Sequence, residues 1–191
     1  MNVDQRLEEL FNIPRMGHAA LEPHNSVRGL YELVKLHVTS DTEMVEIGSF
    51  QGVSTMLFAL FAKKVNSVDC YDYVVPSTGR IPSHDQLFVD AEKVFLERTS
   101  HIENINKIRK SSVEAANDFA DQYLDLVYVD AEHDPISVRS DINAWKNKIK
   151  IGGILCGHDF MLPHIYTILY EEGLINELRT YPDSSWSVII K

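Results

Sequence analysis

The feature that most constrains this chain is the stretch at residues 45–52, which reads Val-Glu-Ile-Gly-Ser-Phe-Gln-Gly. An apolar run containing Glu46 leads into Gly48 and Gly52, and the apolar segment 53–62 follows. This order predicts a strand, a tight turn and a helix whose first N–H groups can bind a polar ligand. No Gly-Lys-Ser/Thr follows and the third glycine of the dinucleotide fingerprint is missing, so the turn is not a phosphate loop. Taken alone, it also fits an ordinary strand-to-helix connection.

Strand-like and helix-like segments alternate along the rest of the chain. Strands are predicted at residues 43–47, 65–70, 102–108, 124–129 and 154–156, with a closing β-hairpin over residues 175–190. Such alternation predicts an α/β fold with a doubly wound, mostly parallel sheet and helices on both faces. The 191 residues, 45% of them hydrophobic, suit a single domain, residues 1–191. Its N-terminal helical segment, residues 1–40, could act as a lid or an oligomer contact.

Acidic residues lie at or near the ends of four predicted core strands. Glu46, Asp69 and Asp130 belong to three of them, and His158-Asp159 follows the fourth. Ligands of doubly wound sheets bind beyond the carboxyl ends of the strands, so this series predicts a site with two zones. Asp69, one strand over from the glycine turn, is suited to accept hydrogen bonds from ribose hydroxyls. The alternative is a solvated acid at a strand end.

The second zone combines carboxylates with histidines. Asp130, Asp159 and either His158 or Glu132 could bind one divalent cation, and this mixture of oxygen and imidazole suits Mg²⁺, Mn²⁺ or Fe²⁺. The unperturbed pKa of a histidine lies near neutrality, so His133 could take a proton from a hydroxyl group. Alternatively, these histidines cap helices or bond to the backbone.

Two further segments allow a structural and a functional interpretation. Ser111, Ser112 and Glu114 carry a capping-box pattern that predicts the start of a helix, and the two serines could also contact a ligand. Residues 71–83 form the longest irregular connection, which is typical either of a binding loop or of variable surface.

Composition argues against several partners. The net charge of −10 opposes binding to a phosphate backbone, so no nucleic-acid partner is expected. No stretch reaches the roughly 20 apolar residues of a membrane span, and the N-terminus lacks the apolar core of a secretory signal. Cys70 and Cys156 lie in different strands and form no CxxC pair, which predicts reduced thiols and a cytoplasmic location.

Four segments together resemble the class I S-adenosylmethionine-dependent methyltransferases. They are residues 45–52, residues 68–69, residues 125–130 with His133, and residues 152–155. The closest resemblance is to methyltransferase family 24, with macrocin-type sugar O-methyltransferases and catechol-type O-methyltransferases more distant. It implies a Rossmann-like, seven-stranded sheet in the order 3-2-1-4-5-7-6, with the last strand antiparallel.

The resemblance also implies S-adenosylmethionine as cofactor and assigns residues to it. Asp69 would bind the ribose, Ser111 or Ser112 would lie at the adenine edge, and Asp130 would border the cofactor. The residues expected around the methionine part are Glu46, Gly48, Ser49 and Gly52. In metal-dependent relatives an Asp-x-x-His segment supplies a metal ligand and a catalytic base, which here are Asp130 and His133. Those relatives have an acidic pair or Asp-Asn where this chain has His158-Asp159.

These inferences favour methylation of a small polar molecule, most readily on oxygen, with His133 and Asp130 as catalytic residues. Mg²⁺ or another divalent cation would lie on Asp130, His158 and Asp159. Neither a nucleic acid nor a membrane is expected as partner, whereas a homo-oligomer could close the site. Alternatives are a metal-assisted hydroxylase on the same scaffold, as in cephalosporin hydroxylase-like relatives, and a non-catalytic cofactor-binding or scaffold protein.

Overall fold

The computed structural model describes residues 2–13, 27–72, 82–175 and 177–191, without the side chains of residues 82–89. Within this part of the chain seven strands form one sheet, in the order β3-β2-β1-β4-β5-β7-β6. The strands are β1 Glu43–Ile47, β2 Lys64–Val68, β3 Ile105–Ile108, β4 Leu124–Val129, β5 Ile149–Gly157, β6 Arg179–Thr180 and β7 Trp186–Ile189. The helices are α1 Val3–Phe11, α2 Arg28–His37, α3 Val53–Ala59, α4 Pro82–Thr99, α5 Ser112–Ala116, α6 Pro135–Trp145 and α7 Pro163–Glu171.

The strand order and strand directions agree with those that the resemblance implied. Strands β1 to β5 run parallel to one another, and β7 is antiparallel to both of its neighbours, β5 and β6. In β4 every residue except Asp125 is buried, as expected for a strand covered on both faces. β1 and β4 lie side by side at the centre of the sheet, so the residues that follow them meet at one edge.

Helices cover both faces of the sheet, and each face has its own apolar cluster. On one face Val45 packs with side chains of α5, α6 and α7, among them the fully buried Trp145. On the other face Met44 packs with α1, α2 and α3, including Leu30 and Phe58. Each such buried side chain stabilises the fold by roughly 1.5–3 kcal/mol. The predicted doubly wound architecture is therefore confirmed, and α1 and α2 are part of the core.

Five strands differ in their bounds from the sequence prediction; β2 spans Lys64–Val68 and not residues 65–70, β6 begins at Arg179, and β7 ends at Ile189. β5 begins at Ile149 rather than at residue 154, so Gly152 and Gly153 belong to the strand. Ile190 explains the difference: its carbonyl accepts a hydrogen bond from Gly152 N (2.8 Å), and its N–H donates to the carbonyl of Gly153 (2.9 Å). β3 is shorter than predicted and begins at Ile105.

The apolar spacing of residues 3–11 predicts a helix, and α1 spans these residues with Asn2 as its N-cap. The apolar pattern also predicts a helix that begins at residue 85, whereas α4 begins at Pro82. The sequence favours Asn25 or Ser26 as the N-cap of α2; both lie outside the described residues, and the helix begins at Arg28. Among the described residues, no helix is long and apolar enough to cross a membrane.

Candidate active site

The glycine turn lies where β1, β2 and β4 end. Gly48 has φ +85°, and a Cβ added there would lie 2.1 Å from the carbonyl oxygen of Asp130. Its N–H donates to the carbonyl of Val68 (2.9 Å). Gly52 has φ +79°, and a Cβ there would lie 2.8 Å from the ring of Phe95. Both glycines therefore allow neighbouring elements to approach the turn, in addition to permitting left-handed backbone.

Glu46 supports the turn from inside the protein. Its carboxylate is buried and accepts a hydrogen bond from the hydroxyl of Thr55 in α3. This contact ties β1 to the first turn of the following helix. The predicted contact between Glu46 and the methionine part of a cofactor stays a prediction.

Asp69 follows β2 and binds the glycine turn directly. One carboxylate oxygen accepts a hydrogen bond from the N–H of Phe50 and the other from the N–H of Tyr71, both at 2.8 Å. Burial raises the pKa of Asp69, and the two backbone hydrogen bonds oppose that rise. A carboxylate has about four lone-pair positions, so two remain for hydroxyl donors. This arrangement is compatible with the predicted ribose contact.

Tyr71 is a residue of this zone that the sequence did not single out. Its buried hydroxyl lies 3.3 Å from the hydroxyl of Ser49, a predicted cofactor residue. Its ring packs against Phe95, and the ammonium of Lys107 lies 5.0 Å from the ring centroid. Burial raises the pKa of Tyr71 far above its usual range, so the phenol is neutral. The sequence signal that could have identified Tyr71 is an aromatic residue two positions after the strand-end acid Asp69.

The two serines after β3 have structural partners. Ser111 and Glu114 form the predicted capping box at the start of α5. The hydroxyl of Ser112 accepts a hydrogen bond from the indole N–H of Trp145 (3.0 Å) and also bonds to the carboxyl of Asp141. The capping interpretation is confirmed for Ser111. An adenine contact by either serine stays a prediction.

The second zone contains Asp130, His133 and Asp159. Each offers one ligand atom, and these atoms lie within 4.8 Å of one another, which suits a single divalent cation. Asp130 follows β4 and Asp159 follows β5, while His133 precedes α6. Nδ1 of His133 lies 2.8 Å from a carboxylate oxygen of Asp159. The side chain of His133 is 56% exposed and that of Asp159 14%, so a molecule from solvent can reach the imidazole.

His133 and Asp159 form an ion pair. The hydrogen bond that His133 donates to Asp159 raises the pKa of His133 to about 9, although partial burial opposes the rise. Burial would raise the pKa of Asp159, but hydrogen bonds from His133 and His158 hold it well below its usual range. His133 is therefore an imidazolium at neutral pH. The pKa of His133 thus lies above the unperturbed value from which the sequence analysis started, and its role as a base stays a prediction.

His158 lies behind the cluster, with only 1% of its side chain exposed. Its Nδ1 is 3.1 Å from a carboxylate oxygen of Asp159 and 3.8 Å from one of Asp130. The sequence placed His158 among the cation ligands, whereas the described group contains His133 in that position. His158 instead contacts Asp159 from the protein interior. Glu132, the alternative ligand, lies outside the group and adds negative charge near His133.

The two zones share a wall. Asp130 N donates to the carbonyl of Ile47 at the end of β1 (2.9 Å), and the carbonyl of Asp130 lies against Gly48. The glycine turn and the group of Asp130, His133 and Asp159 therefore flank one edge of the sheet. This arrangement suits two molecules that bind side by side and react.

Comparison with protein families gives one match. A model described as a methyltransferase domain, that of methyltransferase family 24, matches residues 45–160, which is more than half of the chain. The matched residues include the glycine turn, Asp69, both serines and the whole second zone.

Solved structures with a similar fold include three that cover most of the chain. An rRNA methylase from Streptococcus thermophilus has a TM-score of 0.61 at 14% identity, over 84% of this chain and 93% of that chain. Precorrin 8W decarboxylase from Methanobacterium thermoautotrophicum has a TM-score of 0.57 at 15% identity, over 83% and 86%. A protein of Streptococcus mutans assigned as a methyltransferase was solved in complex with S-adenosylhomocysteine (SAH). It has a TM-score of 0.57 at 12% identity, over 84% of this chain and 94% of that chain. At these identities the similarity shows the fold alone.

Among curated proteins, an uncharacterized protein of Sinorhizobium fredii, y4gI, is 23% identical over 155 residues. The match covers 78% of this chain but only 17% of that relative.

Proposed function

The chain belongs to the class I methyltransferase domains of family 24, and we propose that it transfers a methyl group from S-adenosylmethionine to an oxygen of a small polar acceptor. The observation that carries this proposal is the contact between the glycine turn and the second zone. Because Gly48 lies against Asp130, a cofactor on the turn would have its reactive end beside His133 and Asp159.

The cofactor zone suits an adenosyl amino acid. Asp69 has lone pairs for the ribose hydroxyls, and its two backbone hydrogen bonds hold it in place. Ser49 and the start of α3 offer polar contacts to the amino-acid end. When bound, S-adenosylmethionine supplies an electrophilic methyl group on a sulfonium sulfur. The protein mainly has to align this group with the acceptor.

His133 would act as the base that removes the proton from the acceptor hydroxyl. Its Nδ1 faces Asp159, which fixes the ring and leaves Nε2 for the proton transfer. The ion pair keeps the imidazole charged at neutral pH, so His133 must first lose a proton to solvent. Proton removal by His133 alone would therefore become more effective as the pH rises toward 9.

The carboxylates of Asp130 and Asp159 suit a hard divalent cation, with His133 as a third ligand. Such a cation would supply a Lewis acid that lowers the pKa of an acceptor hydroxyl. As a ligand of the cation, His133 could not act as the base. The two roles of His133 are thus alternatives, and they predict opposite effects of a chelator on methyl transfer.

A small acceptor is favoured by charge. The chain carries a net charge of −10, and the second zone adds Glu132 and Asp134 to its two carboxylates. Such a surface repels a phosphate backbone. Because the fold is shared with an rRNA methylase, RNA belongs in the acceptor test.

The test is incubation of the protein with S-adenosylmethionine and with panels of small hydroxyl compounds and RNA, followed by mass spectrometry. The proposal expects a small molecule to gain a methyl group. A chelator should abolish the gain if the cation is required, and it should preserve or increase the gain if His133 is the base. His133→Gln should lower the rate about 10²-fold or more while SAH binding is kept. His101→Gln, at an exposed histidine, is the matched control. A gain of oxygen would indicate a hydroxylase, and methylation of RNA alone would contradict the small acceptor.

A further inference from the structure

Asp159 has an unusual backbone conformation for a non-glycine residue. Its φ is +60°, in the left-handed region that glycine favours. Residues held in this region persist when the surrounding structure requires it, and they concentrate at functional sites. The contacts around Asp159 should therefore explain how the conformation is kept.

The turn between β6 and β7, residues 181–185, binds the segment that follows Asp159. The carbonyl of Ser184 accepts a hydrogen bond from Phe160 N, and its hydroxyl accepts one from Met161 N, both at 2.9 Å. Ser184 itself has φ +72°. Asp159 and Ser184 thus both have left-handed backbone and lie on facing segments. Ser184 binds the two residues that follow Asp159.

His158 links the same turn to the carboxylate of Asp159. Its Nδ1 lies 3.1 Å from Asp159, and its Nε2 lies 4.0 Å from the carboxylate of Asp183. The indole N–H of Trp186 donates to the carbonyl of His158 (3.0 Å). The imidazole is therefore enclosed between the two carboxylates, with its backbone held by the start of β7.

Asp183 is fully buried and is held on both sides. Its carboxylate accepts hydrogen bonds from the N–H and the hydroxyl of Ser185, at 3.2 Å and 2.9 Å. Behind it lies Gly29 of α2, where an added Cβ would come within 2.5 Å of the Cβ of Asp183. The turn is thus packed against α2 and has little room to move away from His158.

We propose that Ser184 and Asp183 are positioning residues, which hold Asp159 in the orientation that binds His133. Ser184 acts through the backbone of residues 160–161, and Asp183 acts through His158. Both residues are buried. The proposal rests on the proposed function for the value of the His133–Asp159 pair, but the pair can be observed without any methyl transfer.

The first test variant is Ser184→Gly, because glycine keeps the positive φ while it removes the side chain whose hydroxyl binds Met161 N. Asp183→Asn is the second, since it keeps the shape and removes the charge. The control is Ser187→Ala, which deletes another buried serine hydroxyl, one that contacts His37 and Tyr181. The readout is the NMR signal of the Nδ1–H proton of His133 at a fixed pH of 6.5, which is observed when a hydrogen bond to Asp159 slows the exchange of this proton with water.

In the native protein the Nδ1–H signal of His133 should be visible at pH 6.5, because Asp159 accepts its hydrogen bond. Ser184→Gly and Asp183→Asn should each lower the intensity of this signal at least twofold, while their thermal midpoints fall no further than that of Ser187→Ala. The proposal is overturned if folded Ser184→Gly protein has the native spectrum, or if Ser187→Ala changes it equally. Calorimetry with SAH is run in parallel. If the native protein does not bind SAH, the proposed function is refuted, whereas the His133 spectra still decide the positioning role.

Discussion

At the scale of single residues, the His133–Asp159 pair decides the charge that the acceptor would meet. The pair joins residues that follow different strands, and each changes the pKa of the other in the direction that favours the ionised form. A histidine that starts as an imidazolium cannot take a proton until it has lost one. The contact with Asp159 that orients His133 thus also keeps the imidazole protonated, and His133 must lose this proton before it can act as a base.

Replacement of Asp159 by Asn should lower the pKa of His133 from about 9 toward its ordinary value near 6.5, because the neutral amide no longer stabilises the imidazolium. NMR titration of the imidazole measures this change. The matched control is Glu132→Gln, which removes a more weakly acting carboxylate and should shift the pKa much less. An unchanged titration in Asp159→Asn would show that another group charges His133.

The same pair predicts how stability depends on pH. The pKa of His133 is higher in the folded than in the unfolded protein, so its stabilisation is complete below about pH 6.5 and is lost as the pH rises through 9. Urea unfolding of the native protein at pH 6.5, 8 and 9.5 should show this decline, and Asp159→Asn should reduce it. Equal slopes in the two proteins would contradict the ion pair.

At the scale of elements, the packing of α5 against α6 contains a buried acid that the sequence did not single out. Asp141 of α6 is 5% exposed and bonds to Ser112 of α5. Burial raises its pKa to about 6, so the protonated form is more strongly favoured in the folded than in the unfolded protein. The pKa of Asp141 in the unfolded protein is near 3.8. The carboxyl group therefore destabilises the folded protein increasingly as the pH rises from 3.8 to 6, and by its full amount above pH 6.

Asp141→Asn should therefore stabilise the protein at pH 7.5 by on the order of 2 kcal/mol and should have little effect at pH 3.5. Chemical denaturation at the two pH values measures the difference. Asp41→Asn, at an exposed aspartate, is the control and should change stability by less than about 0.5 kcal/mol at either pH. A destabilised Asp141→Asn at pH 7.5 would mean that its hydrogen bond to Ser112 outweighs the cost of burying the charge.

The contact between the glycine turn and α4 allows a matched pair of substitutions. Gly52 and Gly173 both have positive φ, at +79° and +72°, but only Gly52 has an atom within 4 Å of an added Cβ. Gly52→Ala should cost about 1–3 kcal/mol more than Gly173→Ala, because the new methyl group pushes on Phe95. Urea unfolding curves of the two variants test this. Equal losses would show that backbone strain alone explains the glycine.

At the scale of the whole molecule, local patterns predicted the order of strands and helices but not their non-local partners. The apolar runs gave β1 and β4 with their observed bounds, because strands buried on both faces have few polar positions. Gly152 and Gly153 looked like a loop, since no local signal announces that Ile190 will pair with them. The strand order itself came from the resemblance, since periodicity does not select neighbours in a sheet.

The candidate site likewise combines features that local sequence patterns predict with contacts that they do not predict. That the strand-end acids would meet at one edge could be predicted, because parallel strands end together. That Nδ1 of His133 would contact Asp159 could not be predicted in this way, because Asp159 has a left-handed backbone and the residue after next, Met161, is bound by Ser184. Such contacts join residues that are far apart in the sequence, so spacing along the chain does not encode them.

The central claim is that the glycine turn and Asp69 form the cofactor site, and calorimetry with SAH tests it most directly. Native protein should bind SAH, and Asp69→Asn should weaken binding at least about tenfold, since it removes a charged acceptor of two hydrogen bonds. Asp72→Asn, three residues along at an exposed carboxylate, should bind like the native protein. The claim is contradicted if the native protein does not bind SAH, or if Asp69→Asn binds it as tightly as Asp72→Asn does.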